Sequence, residues 1–117
     1  LWRALRIMLD VELHTRGLEI ESAAQRMQDT LGFTHQQAMA DLTWYTRAPT
    51  VPMGYATGWA LIMATREQLQ KQDKEFDLRQ FHDSLLAEGS IALPYVVKQQ
   101  FGDSLWDSVR REVFDIA

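Results

Sequence analysis

Between Arg47 and Arg66 the chain carries no charge, and into that interval it places Pro49, Pro52, Gly54, Tyr55, Gly58, Trp59 and an apolar run that ends at Thr65. Few folds accommodate such a stretch. From Met53 onward it reads as a helix that is apolar on nearly every side, and a helix of that kind in a soluble protein is buried among others. It falls short of the roughly 18 apolar residues that a membrane span needs. The expected fold is therefore all-α: a single compact bundle of about six to seven helices around a buried central helix at about 53–72, in one domain covering 1–117.

Composition narrows the function classes. At 117 residues and 46% hydrophobic, the chain has enough apolar mass for a core without metal or disulfide staples. Its 12 basic and 16 acidic residues give a net charge of −4, which favours neither nucleic acid nor an anionic membrane surface. The absence of cysteine excludes disulfides and thiol catalysis and leaves the compartment open. No signal peptide is recognisable. The sequence starts at Leu1 in an already helical pattern, which leads us to expect a fragment or a processed product.

The remaining helices follow from their punctuation. Trp2 to Thr15 forms a first helix in which Arg3, Arg6, Asp10 and His14 share one polar arc, while Trp2, Leu5, Met8, Leu9, Val11 and Leu13 spread over the rest. That arc is expected to face a cleft or a thin strip of solvent. Gly17 ends this helix and Gly32 ends a second one, from about Glu21 to Leu31. Thr34 and Gln37 form a capping box for a third, expected to run to about Ala48 and to stop at Pro49. Pro49 to Pro52 reads as a stiff extended connector. On the central helix Gly54 and Gly58 call for a close-packed neighbouring backbone that offsets their cost.

Beyond a charged turn at Lys71 to Glu75, Asp77 caps a fifth helix whose core stripe is Leu78, Phe81 and Leu85, and which Gly89 ends. Pro94 opens a sixth, closed by Gly102. A seventh, from about Ser104 to Asp115, buries Leu105, Val109, Val113 and Ile116. No strand alternation or internal repeat is present.

No zinc-binding HExxH, glycine-rich phosphate loop or nucleophile elbow occurs, so the chain holds no complete catalytic constellation and no metal set of its own. Two local features could carry chemistry. Asp10 and His14, one helical turn apart, either orient an imidazole toward a metal or substrate or form an ordinary surface or interhelical hydrogen-bonded pair. Tyr55 either donates to a developing oxyanion or is a core tyrosine with a backbone partner. Arg66 shares the face of Tyr55 about three turns on, where the two would grip opposite ends of a ligand or not interact. His82 reads as structural, tying the fifth helix to the connector below it.

Taken together, Leu5 to His14 (LRIMLDVELH), Tyr45 to Gly58 (YTRAPTVPMGYATG), Arg66, Phe76 to Asp83 (FDLRQFHD) with Leu86, and Gly89 to Pro94 (GSIALP) resemble the C-terminal part of a large bacterial family. That family is Domain of Unknown Function 885. Its members look like zinc metallopeptidases, mostly helical and often exported or lipid-anchored, with an HExxGHH motif and a later glutamate ligand upstream of the matching region. The resemblance implies that this chain is the C-terminal helical segment of such a protein, walling a cleft whose zinc is held elsewhere in the parent.

The matched positions are Asp10, His14, Tyr45, Pro49, Tyr55, Gly58 and Arg66. By resemblance Tyr55 would be an oxyanion donor and His14 a substrate or transition-state contact, with Asp10, Tyr45 and Arg66 as substrate-binding residues and a peptide as substrate. Trp44 and Gly54 stand where many members have arginine and serine. The alternative is a self-standing helical interaction or dimerisation module without chemistry. Both lead us to expect an apolar face covered by a partner, either the rest of a parent chain or a second copy.

Overall fold

The computed structural model describes residues 1–114, and all regular structure among them is helical: α1 Trp2–Thr15, α2 Ile20–Leu31, α3 His35–Tyr45, a 3₁₀ turn Val51–Met53, α4 Gly54–Gln72, α5 Leu78–Ala87, α6 Leu93–Phe101 and α7 Asp103–Phe114. The all-α class and the seven helices agree with the expectation. The chain divides into two compact units, Leu1–Thr57 and Gly58–Ala117, so its apolar interior is split rather than gathered round one central helix.

In the first unit Leu5 and Leu9 of α1 meet Ala23, Ala24 and Met27 of α2 and Ala38, Leu42 and Tyr45 of α3, all buried. Three alanines on the facing surfaces let the helices approach closely, and Trp2 seals one end by standing edge-on to Phe33 at 5.6 Å. Helix ends follow the local code. Thr34 accepts from the Gln37 amide at 3.2 Å while Gln37 accepts from the Thr34 amide at 2.9 Å, completing the capping box. Gly32 takes a left-handed conformation at φ 71° to end α2.

The segment after α3 departs from expectation. The helix ends at Tyr45, three residues early, because the amides of Arg47 and Ala48 turn back to the carbonyls of Trp44 and Tyr45 in tighter 3₁₀ fashion. Pro49 to Pro52 is not extended. Thr50 adopts a left-handed conformation at φ 70°, and Val51–Met53 coils directly into α4. A tertiary hydrogen bond, described below, holds that turn.

The second unit packs Leu61 and Ala64 of α4 against Val97 of α6 and Leu105, Trp106 and Val109 of α7. Phe81, Leu85 and Val96 form an adjoining cluster, in which Phe81 lies 5.8 Å from both Phe76 and Phe101. Asp77 caps α5 by accepting from the Gln80 amide at 2.7 Å. Leu78 stands half-exposed, leaving Phe81 and Leu85 as the buried part of the expected stripe. On α7 Leu105 and Val109 are buried and Val113 partly so, whereas Asp115 and Ile116 lie outside the described residues.

Two properties expected of α4 are corrected. Its buried positions are Leu61, Ala64 and Thr65 alone, and Tyr55 and Trp59 are two-thirds exposed. An apolar circumference predicts burial only where neighbours exist to cover it, and the α6 and α7 side chains reach one strip. The glycines meet no neighbouring backbone either. A Cβ at Gly54 would have open space, and one at Gly58 would rest 3.8 Å from the Leu93 side chain, an ordinary contact. His82 is exposed, its ring 5.3 Å from that of Phe81, and it makes no hydrogen bond to a connector among the described residues.

Candidate functional site

The polar arc of α1 does not line a strip of solvent; its middle is among the most enclosed parts of the first unit. Arg6 is 3% exposed and Asp10 2%, while Met8, on the arc expected to be buried, is 53% exposed. Helix α1 is thus turned so that charged groups point inward. Buried ionic groups are tolerated only with partners or ligands to replace lost water.

Asp10 has two engagements. Its Oδ2 accepts the Thr50 amide at 2.9 Å, fixing the turn before α4, and its Oδ1 lies 3.5 Å from His14 Nε2. That histidine nitrogen is also 3.1 Å from the Tyr45 carbonyl oxygen. A carbonyl only accepts, so Nε2 carries the hydrogen and a neutral His14 keeps its lone pair on Nδ1. Asp10 and His14 therefore face each other within α1 without a hydrogen bond to Oδ1, and the contact that crosses to α3, from His14 Nε2 to the Tyr45 carbonyl, leaves a part-exposed imidazole held at one edge.

Tyr45 closes this set. Its hydroxyl donates to Asp41 Oδ2 at 3.0 Å and accepts from Trp2 Nε1 at 3.2 Å. Burial raises the phenol above its ordinary value of 10.0; the Trp2 hydrogen bond works against this, and Asp41 adds to it. With both roles of its hydroxyl taken by protein groups, Tyr45 is a strut between α1 and α3, and its carbonyl orients His14.

Tyr55, at the start of α4, projects an exposed ring against two cations of α1. The Arg3 guanidinium carbon is 4.1 Å from the ring centroid and that of Arg6 is 4.8 Å. Arg3 also covers the Trp2 ring at 4.4 Å. These are cation–π distances, and they set the phenol beside two positive charges. The alternative of a core tyrosine with a backbone partner is excluded by its exposure.

The geometry thus joins Asp10, His14 and Tyr45 directly, and places Tyr55 against Arg3 and Arg6 of the same helix. A family comparison bears on the same residues: the description "bacterial protein of unknown function (DUF885)" matches residues 1–99. The chain belongs to this family. The comparisons with curated proteins and with solved structures each find no match.

The DUF885 match spans every matched position, including Arg66. Arg66 falls in the second unit, where its Nε is buried without a hydrogen-bond partner. Among the described residues of this DUF885 chain no three His, Asp or Glu side chains gather closely enough to hold a metal ion. A zinc ion therefore does not fit on them. No helix among them is long and apolar enough to cross a membrane.

Arg3, Arg6, Trp2, Asp41 and Thr50 complete the surroundings of the expected site residues. The sequence placed both arginines on the arc of Asp10 and His14 but offered no sign that Arg6 turns inward.

Proposed function

We propose that this DUF885 chain walls the cleft of a peptide hydrolase whose metal is held by residues outside 1–117. Tyr55 donates its phenol to the oxyanion that forms at the scissile carbonyl. His14, fixed through Nε2, meets the substrate with Nδ1, while Asp10 and Tyr45 hold that imidazole and the turn leading to Tyr55. The observation that carries the reading is the inward polar stripe of α1, with Arg6 Nε, Arg6 Nη2 and Asp10 Oδ1 buried and unpartnered beside an exposed tyrosine. Such groups are costly in a purely structural helix and expected in a site that a ligand completes.

The test is peptide cleavage by the full-length product of the reading frame encoding this sequence. Removing one oxyanion donor lowers kcat by roughly 10²-fold or more, so Tyr55→Phe is expected to do so with little change in KM. Cleavage at the wild-type rate by that variant would overturn the role of Tyr55. The absence of any metal-dependent cleavage would overturn the hydrolase reading.

A second reading, a helical interaction or dimerisation module, draws on the outer face of α1. There Ile7, Met8 and Val11, with Glu12 and Arg16 at the rim, line a shallow recess of about 250 Å³. Exposed apolar patches mark contact surfaces when they are contiguous. A rise in molar mass with concentration in light scattering, abolished by Met8→Glu, favours this reading; a monomer at all concentrations counts against it.

A further inference from the structure

Arg6 poses a problem that the other residues of the first unit do not resolve. Its side chain is enclosed, with Nε and Nη2 shut off from solvent and no hydrogen-bond partner among the described residues. No carboxylate forms an ion pair with it there, although Asp10 is one turn along the same helix. The Asp10 Oδ2 is taken by the Thr50 amide, and its Oδ1 faces His14 at 3.5 Å rather than Arg6. Burying a guanidinium is unfavourable unless its donors are used. Arg3, three residues earlier and exposed, brings a second guanidinium to the same Tyr55 ring.

Two like charges share one aromatic platform, and one of them holds unused donors. A guanidinium presents its N–H groups as a planar fork matched to the two oxygens of a carboxylate or phosphate. We infer that Arg6 and Arg3 form an oxyanion-binding site on the Tyr55 ring that takes a carboxylate of a peptide, the C-terminal carboxylate of the substrate. Arg3 supplies the accessible charge that draws the anion in, and Arg6, whose Nε and Nη2 are enclosed in the free chain, opens its unused fork to the anion as it binds. Tyr55 holds the planes of both cations with its ring while its hydroxyl remains free for the reacting carbonyl. The assignment rests on the hydrolase reading for the identity of the ligand as a peptide, but the anion site is measurable without catalysis.

The experiment is a titration of the chain with three probes: an N-acetylated dipeptide with a free C-terminal carboxylate, the same dipeptide as its C-terminal amide, and inorganic phosphate. Calorimetry gives affinity, and the NMR shift of the Arg6 Nε–H resonance reports the site. The acid is expected to bind at least 10-fold more tightly than the amide and to move that resonance, and Arg6→Gln is expected to remove the difference. Equal binding of acid and amide, phosphate binding with no preference for the acid over the amide, or an acid preference that survives in Arg6→Gln would overturn the assignment.

Should Arg6→Gln fail to fold, Arg3→Gln, at an exposed position, decides: a loss of acid affinity of 5-fold or more supports the paired site, and an unchanged affinity overturns it. Acid-selective binding together with a full-length protein that cleaves no peptide would leave the anion site standing and remove the hydrolase reading alone.

Discussion

The Asp10 carboxylate accepts the backbone amide of Thr50 at 2.9 Å across forty residues of chain, and Thr50 is the only non-glycine residue with a positive φ among those described. The relationship ties α1 to the turn that launches α4, and so connects the residue that faces His14 with the segment that presents Tyr55. A left-handed threonine is strained, and a part-buried charge-assisted hydrogen bond compensates for it. Asp10→Ala is expected to destabilise the chain by about 2 kcal/mol. Thr50→Gly, which relieves the strain and keeps the amide, should be neutral or stabilising. Urea denaturation of the two variants checks both signs, and a silent Asp10→Ala would show that the turn holds without it.

Gly58 lies within α4, where a Cβ would meet only the Leu93 side chain at 3.8 Å. Alanine there reduces the conformational freedom of the unfolded chain and improves helix propensity, so Gly58→Ala should stabilise by about 1 kcal/mol. Thermal melting measures it. A loss of stability would mean that this position needs glycine for an approach by something outside the described residues, as a partner against the helix would.

The phenol of Tyr45 gives a pH dependence whose sign is fixed. Its folded value is raised above the unfolded value of 10.0, so folding favours the neutral phenol. The contribution is full below pH 10 and is lost as the pH rises from there through the folded value. Melting temperatures measured from pH 9 upward should fall more steeply for the wild type than for Tyr45→Phe. At pH 7 that variant is itself expected to be less stable by about 1–3 kcal/mol, since Trp2 and Asp41 lose a shared partner. Parallel pH profiles would remove Tyr45 as the source of the slope.

Much of the secondary structure was legible because it is set by neighbours in the chain. The Thr34 box, the left-handed Gly32, the Asp77 cap and Pro94 in the first turn of α6 each act over three or four residues, and they marked the helix ends they govern. The Asp10 and His14 pair was legible for the same reason, as an i, i+4 spacing. The end of α3 was less so: Pro49 sets only the latest point at which a helix can stop, while the turn before it is drawn tighter by the backbone and the turn after it is held by Asp10 from forty residues away.

Periodicity, likewise, states which residues share a face and is silent on what that face meets. It grouped Arg3, Arg6, Asp10 and His14, and it wrapped α4 in apolar residues; both were correct as geometry. The neighbours then decided the outcome. The small residues of α2 and α3 receive Leu5 and Leu9, while Asp10 meets the Thr50 amide and Arg6 the Tyr55 ring, leaving Met8 in solvent. Around α4, the α6 and α7 side chains cover one strip. The sequence by itself determined an all-α chain, its helix caps and the grouping of its polar residues, because these depend on local chemistry. Only the tertiary structure decided that a guanidinium would be buried without an ion pair among the described residues and set against an exposed tyrosine, because burial is a property of the surfaces that meet.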